Sequence, residues 1–136
     1  MMMSGSTRFW LKFWIIYAAL WGAGSVAVGA YAAHGFEGDE LRVLWAQTGS
    51  LYGLVHALAL LALTALGAAG SGCSRARTIA SGCFSLGLLF FSGGLFLKAL
   101  CDLSLNGPYI PVGGSLFILG WLLTVAFGFT YRQKDL

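Results

Sequence analysis

Charged side chains are scarce in this sequence. Asp, Glu, Lys and Arg together make up 10% of the 136 residues, whereas 58% are hydrophobic. Soluble domains carry about 25% charged residues, so this chain has too few polar groups to cover a surface that faces water. We therefore expect the lipid bilayer to be its solvent. The basic residues stand in pairs between apolar runs, and this scatter disfavours a nucleic-acid partner.

The sequence also lacks the residue patterns that carry chemistry. Its three cysteines, Cys73, Cys83 and Cys101, show none of the close pairing that zinc sites use, and their odd number disfavours a disulfide framework. No GxSxG, HExxH, phosphate-binding loop, CxxC or pair of intramembrane carboxylates is present. We therefore predict no catalytic residue, no metal site and no cofactor, and we expect that the protein is not an enzyme.

What the chain does have is four long apolar runs. A transmembrane helix needs about 20 mostly apolar residues, and the runs that qualify are 13–33, 51–69, 79–100 and 111–130. The breaks between them carry acids, arginines or the helix-disfavouring stretch DLSLNGPYIP. The pattern predicts a single domain over residues 1–136, an all-α integral membrane four-helix bundle without an internal repeat.

The distribution of basic residues predicts the orientation of the bundle. Six Lys or Arg residues would share one side of the membrane, and only Arg42 and Lys98 fall on the other, beside four acids. By the positive-inside rule, both termini lie in the cytoplasm of a bacterium, or on the equivalent side of a mitochondrial inner membrane. Ala30-Tyr31-Ala32 resembles a signal-peptidase site. The apolar run before it is longer than a signal sequence normally has, so we expect the first span to be retained.

The connection between the first two spans has a pattern of its own. Asp39 suits a helix start, and Leu41, Leu44 and Trp45 then fall on one face. This spacing predicts a short interfacial helix within residues 36–50, separate from the second span. We expect it to lie over the outer ends of the spans as a lid.

Small residues recur at helical spacing inside the spans. In lipid, helices associate where small side chains let their backbones approach. Ser92-Gly93-Gly94 also predicts a local bend or a close neighbour in the third span. We expect these positions to pack the helices within one chain, with a homodimer seam as the alternative. The predicted packing residues are Gly22, Ser25, Gly29, Gly93, Gly94, Gly113, Gly114, Gly120 and Trp121.

Few polar side chains lie within or beside the spans. Because successive spans cross the membrane in opposite directions, these side chains are expected to collect at the outer ends of the helices. His56 is the histidine inside an apolar run, and Lys98 lies one helical turn before Asp102. Ionisable groups in a membrane are functional candidates by default. We predict either a structural role, holding the lid to the helix ends, or a site for a proton, a ligand or a metal. The candidate polar cluster is His34, Gln47, Tyr52, His56, Lys98 and Asp102.

Four motifs, in this order, resemble a known family: GAYAAHG, QTGSLYGLVHALALLAL, FFSGGLFLKAL and PVGGSLFILGWLL. Together they are similar to the YgdD-like bacterial inner-membrane proteins, a domain-of-unknown-function family with eukaryotic relatives called transmembrane protein 256. The resemblance implies a four-helix fold in an inner membrane and no established activity. The chain departs from the family pattern at Gly53, Gly94, Phe96 and Ile110, where polar residues are usual. Lys98 stands where an apolar residue is usual.

These observations favour a membrane protein that acts by packing, as a structural or accessory subunit of a larger membrane assembly or as a homo-oligomer. The alternative is a binding or transport protein for a small solute, a proton or a lipid, which would use the polar cluster at the outer ends of the helices. The substitution His56→Ala distinguishes the packing role from the binding or transport role. Loss of ligand binding or flux in a folded protein indicates a site, whereas loss of thermal stability alone indicates a structural role.

Overall fold

In a computed structural model of the chain, which describes residues 5–103 and 107–133, four helices are long and apolar enough to cross a membrane. The prediction of an all-α chain with four apolar helices is thereby confirmed. The elements in chain order are α1 (Gly5–Ala32), α2 (Glu40–Ala69), β1 (Gly70–Ser71), α3 (Ser74–Gly87), a π-helical segment (Leu88–Gly93), α4 (Gly94–Cys101), α5 (Tyr109–Thr130) and β2 (Arg132–Gln133).

The predicted interfacial helix between the first two spans is wrong. Residues 40–50 are instead the first turns of α2, which runs without a break for 30 residues. The predicted helix start is observed, since the Asp39 carboxylate caps α2 by accepting a hydrogen bond from the Arg42 backbone N–H at 3.0 Å. The helix continues past Gly49, a poor helix former, because this glycine is buried against α4 and tertiary packing stabilises the helix there.

The third span is not a uniform α-helix. Its π-helical segment lies where the Ser92-Gly93-Gly94 triplet predicts a bend. A π-helical turn is rare and marks a local departure from the α-helical hydrogen-bond pattern. The neighbour at this point is α5, whose Gly113 lies so close that a Cβ atom on it would stand 2.5 Å from the Phe91 backbone nitrogen. The missing side chain at Gly113 therefore lets α5 contact the backbone of the π-helical segment.

The spans differ in how deeply they are buried. α1 packs mainly on α2, α3 mainly on α5, and α4 mainly on α2. The share of the apolar window that is buried is 11% for the first span and 44% for the third. α1 is therefore peripheral: it packs mainly on α2, contacts the third span through Tyr17 and Trp21, and leaves much of its remaining surface exposed. The main core contains Leu63, Phe84, Leu88, Phe117 and Phe127.

The two ends of the bundle differ in charge. The described acids lie at one end, which we call the acidic end: Glu37, Asp39, Glu40 and Asp102. The opposite end, which we call the basic end, carries Arg8, Lys12, Arg75, Arg77 and Arg132. At the basic end β1 pairs antiparallel with β2, and Thr130 Oγ1 accepts a hydrogen bond from the Cys73 N–H at 2.8 Å. The connection between α2 and α3 is thereby tied to the end of α5.

Candidate functional site

His56 lies in the middle of α2 and is buried, with 3% of its surface exposed. Both of its ring nitrogens have a partner. Nδ1 lies 2.8 Å from the Tyr52 carbonyl oxygen, one turn earlier, and Nε2 lies 3.2 Å from Nε1 of Trp121 on α5. Because an indole N–H only donates, Nε2 accepts this hydrogen bond, and Nδ1 must carry the proton that it donates to the carbonyl. The contacts therefore fix one neutral tautomer of the imidazole.

Aromatic rings enclose this imidazole. The Phe117 ring stacks on it with centroids 3.5 Å apart and planes within 8°. The Phe84 and Trp121 rings lie at 5.6 and 6.1 Å. Each such pair stabilises by roughly 0.5–1.5 kcal/mol beyond its burial. We call Tyr52, His56, Phe84, Phe117 and Trp121 the histidine site. It joins α2, α3 and α5, and both nitrogens of its imidazole are engaged in contacts within the bundle.

A second buried polar region lies where α1, α2 and the π-helical segment meet. Ser50 Oγ donates a hydrogen bond to the Ser25 carbonyl oxygen at 2.5 Å. The hydroxyl groups of Ser25 and Ser92 are fully buried, and neither has a hydrogen-bond partner in the described part of the chain. A Cβ atom on Gly53 would collide with Ser25 Oγ and stand 3.5 Å from Ser92 Oγ. We call Ser25, Ser50, Gly53 and Ser92 the serine site, a close-packed region with two unpaired hydroxyl groups.

The structure divides the predicted polar cluster in two. Tyr52 and His56 meet at the histidine site. This site lies deeper than the predicted span implied, about 24 Å along α2 from Glu40 at 1.5 Å per residue, because α2 begins at residue 40 rather than 51. The remaining members stand near the acidic end, away from the imidazole: His34, Gln47, Lys98 and Asp102.

The residues of the predicted cluster at the acidic end are mostly exposed. His34 and Gln47 are exposed, and Asp102 ends α4 in a left-handed conformation with φ 53°. Lys98 Nζ lies 4.7 Å from the centroid of the Trp45 ring, which is a cation–π contact. No ion pair joins Lys98 to Asp102 within residues 5–103 and 107–133. Whether these four residues bind anything stays a prediction.

Arg42 has a structural role in addition to its place in the charge pattern that predicts the orientation of the bundle. Its Nε donates a hydrogen bond to the Ala99 carbonyl oxygen at 2.6 Å, and its guanidinium carbon lies 4.7 Å from the centroid of the Phe36 ring. A cation is favourable at the last carbonyls of a helix, so Arg42 caps α4. No local pattern could have revealed this role, because the two partners are 57 residues apart.

The residues predicted to pack the helices mostly face a neighbour. Gly22 is an exception, because a Cβ atom added there would meet nothing within 4 Å. Ser25 and Gly94 are buried, and Trp121 also donates the hydrogen bond to His56. The facing pairs are Gly29 with Ser50, Gly93 with Trp21, Gly113 and Gly114 with Phe91, and Gly120 with Phe84.

Comparison with known proteins points to one family. The family model described as a protein of unknown function (DUF423) matches residues 28–114. This range begins near the end of α1 and ends in α5, so it contains His56 together with Gly53 and Ser92 of the serine site.

Relatives are similar over most of the chain. The UPF0382 membrane protein SH2409 of Staphylococcus haemolyticus is 35% identical over 89% of this chain and 98% of its own length. The UPF0382 membrane protein YwdK of Bacillus subtilis is 33% identical, with coverages of 89% and 99%. The UPF0382 inner membrane protein YgdD of Escherichia coli is 34% identical, with coverages of 90% and 94%. These matches confirm the resemblance to YgdD-like proteins. No solved structure matches the chain.

Proposed function

The chain belongs to the DUF423 family of UPF0382 membrane proteins, and from this premise we propose that it is a non-enzymatic accessory subunit of a larger inner-membrane assembly. We further propose that the basic end, with both termini, faces the cytoplasm. The positive-inside rule supports this orientation, because five described basic residues lie at the basic end and two at the acidic end.

The observation that carries the proposal is the unpartnered face of α1. Ser25 points into the bundle and is buried against α2, whereas Ala19, Ala23 and Ala27 are exposed at steps of four residues. Gly24 is exposed as well, and a Cβ atom on it would meet nothing within 4 Å. Small residues at this spacing let a second helix approach closely in lipid. A helix from another subunit would bury this face.

The histidine site supports a packing role rather than a reactive one. Its imidazole is held by Tyr52 and Trp121 on its two nitrogens and by Phe117 on its face. A binding or transport protein would have to use His34 and Gln47 at the acidic end without this imidazole. The contacts of His56 therefore favour the accessory role over the alternative drawn from the polar cluster.

Photo-crosslinking in native membranes tests the proposal. A photoreactive amino acid replaces Leu20, which is 68% exposed on α1 and lies one turn before Gly24. The matched control replaces Leu122, which is 62% exposed on α5. We expect position 20 to give an adduct with a different membrane protein, identified by mass spectrometry, and position 122 to give none.

Gly24→Leu supplies the second arm of this test. We expect it to abolish the adduct at position 20 and to leave the melting temperature unchanged, because nothing in the bundle lies where the new side chain begins. An adduct composed only of two copies of this chain would contradict the accessory role. Recovery of the solubilised protein alone, without an adduct at either position, would contradict it too.

A further inference from the structure

A groove opens at the basic end between α1, α2 and α3. It encloses about 470 Å³, and its lining includes Trp10, Trp14, Gly67, Arg77, Thr78 and Ser81. One wall is the aromatic first part of α1, and the opposite wall is the start of α3. The groove therefore lies at the level where the apolar spans meet the basic surface of the bundle.

Arg77 is held inside this groove rather than extended into solvent. A Cβ atom on Gly67 would stand 2.6 Å from Arg77 Cζ and 2.7 Å from Arg77 Nε, so the guanidinium lies against bare backbone of α2. Among the described residues no acid or carbonyl pairs with this guanidinium, and the described acids lie at the opposite end of the bundle. A half-buried cation that has no counterion among residues 5–103 and 107–133 is unfavourable in that surrounding. The groove thus offers its positive charge to an anion from outside.

The other walls suit an amphipathic anion. Trp10 and Trp14 stack with ring centroids 6.3 Å apart, and Trp10 is 51% exposed. Tryptophan is enriched at the boundary between headgroups and acyl chains. Thr78 and Ser81 bring hydroxyl groups to the same cavity as the guanidinium. A ligand here meets hydrogen-bond donors at one side and aromatic rings at the other.

We propose that this groove is a binding site for an anionic phospholipid of the leaflet at the basic end. The Arg77 guanidinium pairs with the phosphate in the forked geometry that arginine prefers. The hydroxyl groups of Thr78 and Ser81 bind the headgroup, and the first acyl carbons lie along Trp10 and Trp14. Basic pockets between transmembrane helices bind acidic headgroups in this way. The site requires only that the bundle spans the bilayer, so it is independent of the accessory role.

Native mass spectrometry of the full chain in detergent tests this site. Phosphatidylglycerol and phosphatidylcholine with identical acyl chains are titrated in parallel. We expect a one-to-one complex with phosphatidylglycerol and weaker retention of phosphatidylcholine. Arg77→Gln should weaken phosphatidylglycerol binding about tenfold. Arg75→Gln, which removes the same charge from an exposed position two residues away, should change binding less than about twofold.

Gly67→Val provides a variant that keeps every charge. Its side chain occupies the space of the guanidinium, so we expect weaker binding of phosphatidylglycerol while the helical circular dichroism is retained. The Gly67→Val measurement tests the proposal even if Arg77→Gln does not fold. Equal binding of the two lipids, or unchanged binding in Gly67→Val, would overturn the proposal. Displacement of the lipid by millimolar inorganic phosphate would also overturn it, by showing that the site recognises free phosphate.

Discussion

The histidine site and the serine site are both polar and buried, yet they differ in how their polar atoms are satisfied. At the histidine site both imidazole nitrogens have partners, one of them from a helix 65 residues away. At the serine site two hydroxyl groups are enclosed without a partner among the described residues. A buried hydrogen bond stabilises by about 1 kcal/mol, whereas an unpaired buried group costs about 1–3 kcal/mol. Removing a polar group should therefore lower the stability at the histidine site and leave it unchanged or raise it at the serine site.

His56→Ala should have the largest effect of the substitutions at these two sites. It removes the stacked ring and leaves the Trp121 indole N–H without its acceptor, while the Tyr52 carbonyl keeps the α-helical hydrogen bond from the backbone N–H of residue 56. We expect the free energy of unfolding to fall by about 3 kcal/mol, as measured by steric trapping in bicelles. Leu58→Ala on the same helix, at a side chain that is 64% exposed, is the control and should cost little. Equal stability of the two variants would refute the structural role of His56.

Gly53→Ala should come second, because it overpacks the serine site. The added methyl group collides with Ser25 Oγ, and overpacking of this kind costs about 2 kcal/mol. In a Ser25→Ala background the cost should fall but not vanish, since the Ser25 Cβ atom itself stands 3.2 Å from the new methyl group. A double-mutant cycle of unfolding free energies measures the difference. Strict additivity would contradict the contact.

Trp121→Phe isolates the hydrogen bond at the histidine site. It keeps an aromatic ring on α5 but removes the N–H that His56 Nε2 accepts. We expect a loss of about 1 kcal/mol in the free energy of unfolding. The same change in a His56→Ala background should cost less, because the acceptor is already gone. An equal cost in both backgrounds would assign the effect to packing alone.

Ser25→Ala and Ser92→Ala should have the smallest effect and the opposite sign. Each removes a buried hydroxyl group that has no partner in the described part of the chain, and the Ser50 hydrogen bond to the Ser25 carbonyl remains. We expect the free energy of unfolding to stay unchanged or to rise by up to about 1 kcal/mol. A loss of stability in either variant would show that its hydroxyl group does make a hydrogen bond in the membrane.

The sequence correctly predicted the features that depend on local residue patterns, namely the apolar helices and one helix start. The four apolar runs predicted the four helices, and Asp39 predicted the start of α2 through its cap. The pattern over residues 36–50 misled because an amphipathic face is the same whether a short helix ends at residue 50 or continues. Tertiary contacts at this point, the packing of Gly49 against α4 and the hydrogen bond from Ser50 to the Ser25 carbonyl, stabilise the continuous helix.

The contacts that define the two buried sites could not be predicted from local pattern. Trp121 was expected to fill space, and its donation to His56 depends on the rotation of α5 relative to α2. Arg42 looked like a lone charge in a connection, and its cap on α4 depends on where the third span ends. Both contacts join residues more than fifty positions apart, so they are properties of the assembled bundle.

The π-helical segment also rotates the two parts of the third span, α3 and α4, relative to each other about the helix axis. Each residue of an α-helix turns by about 100°, so one extra residue in a turn rotates everything beyond it by about that angle. As a result α3 presents its small and aromatic face to α5, while α4 turns toward α2 and meets Arg42 at the acidic end. We therefore expect the removal of one residue between Leu88 and Gly93 to shorten the span only slightly but to rotate α4 by about 100° about the helix axis, away from its contacts with α2 and Arg42.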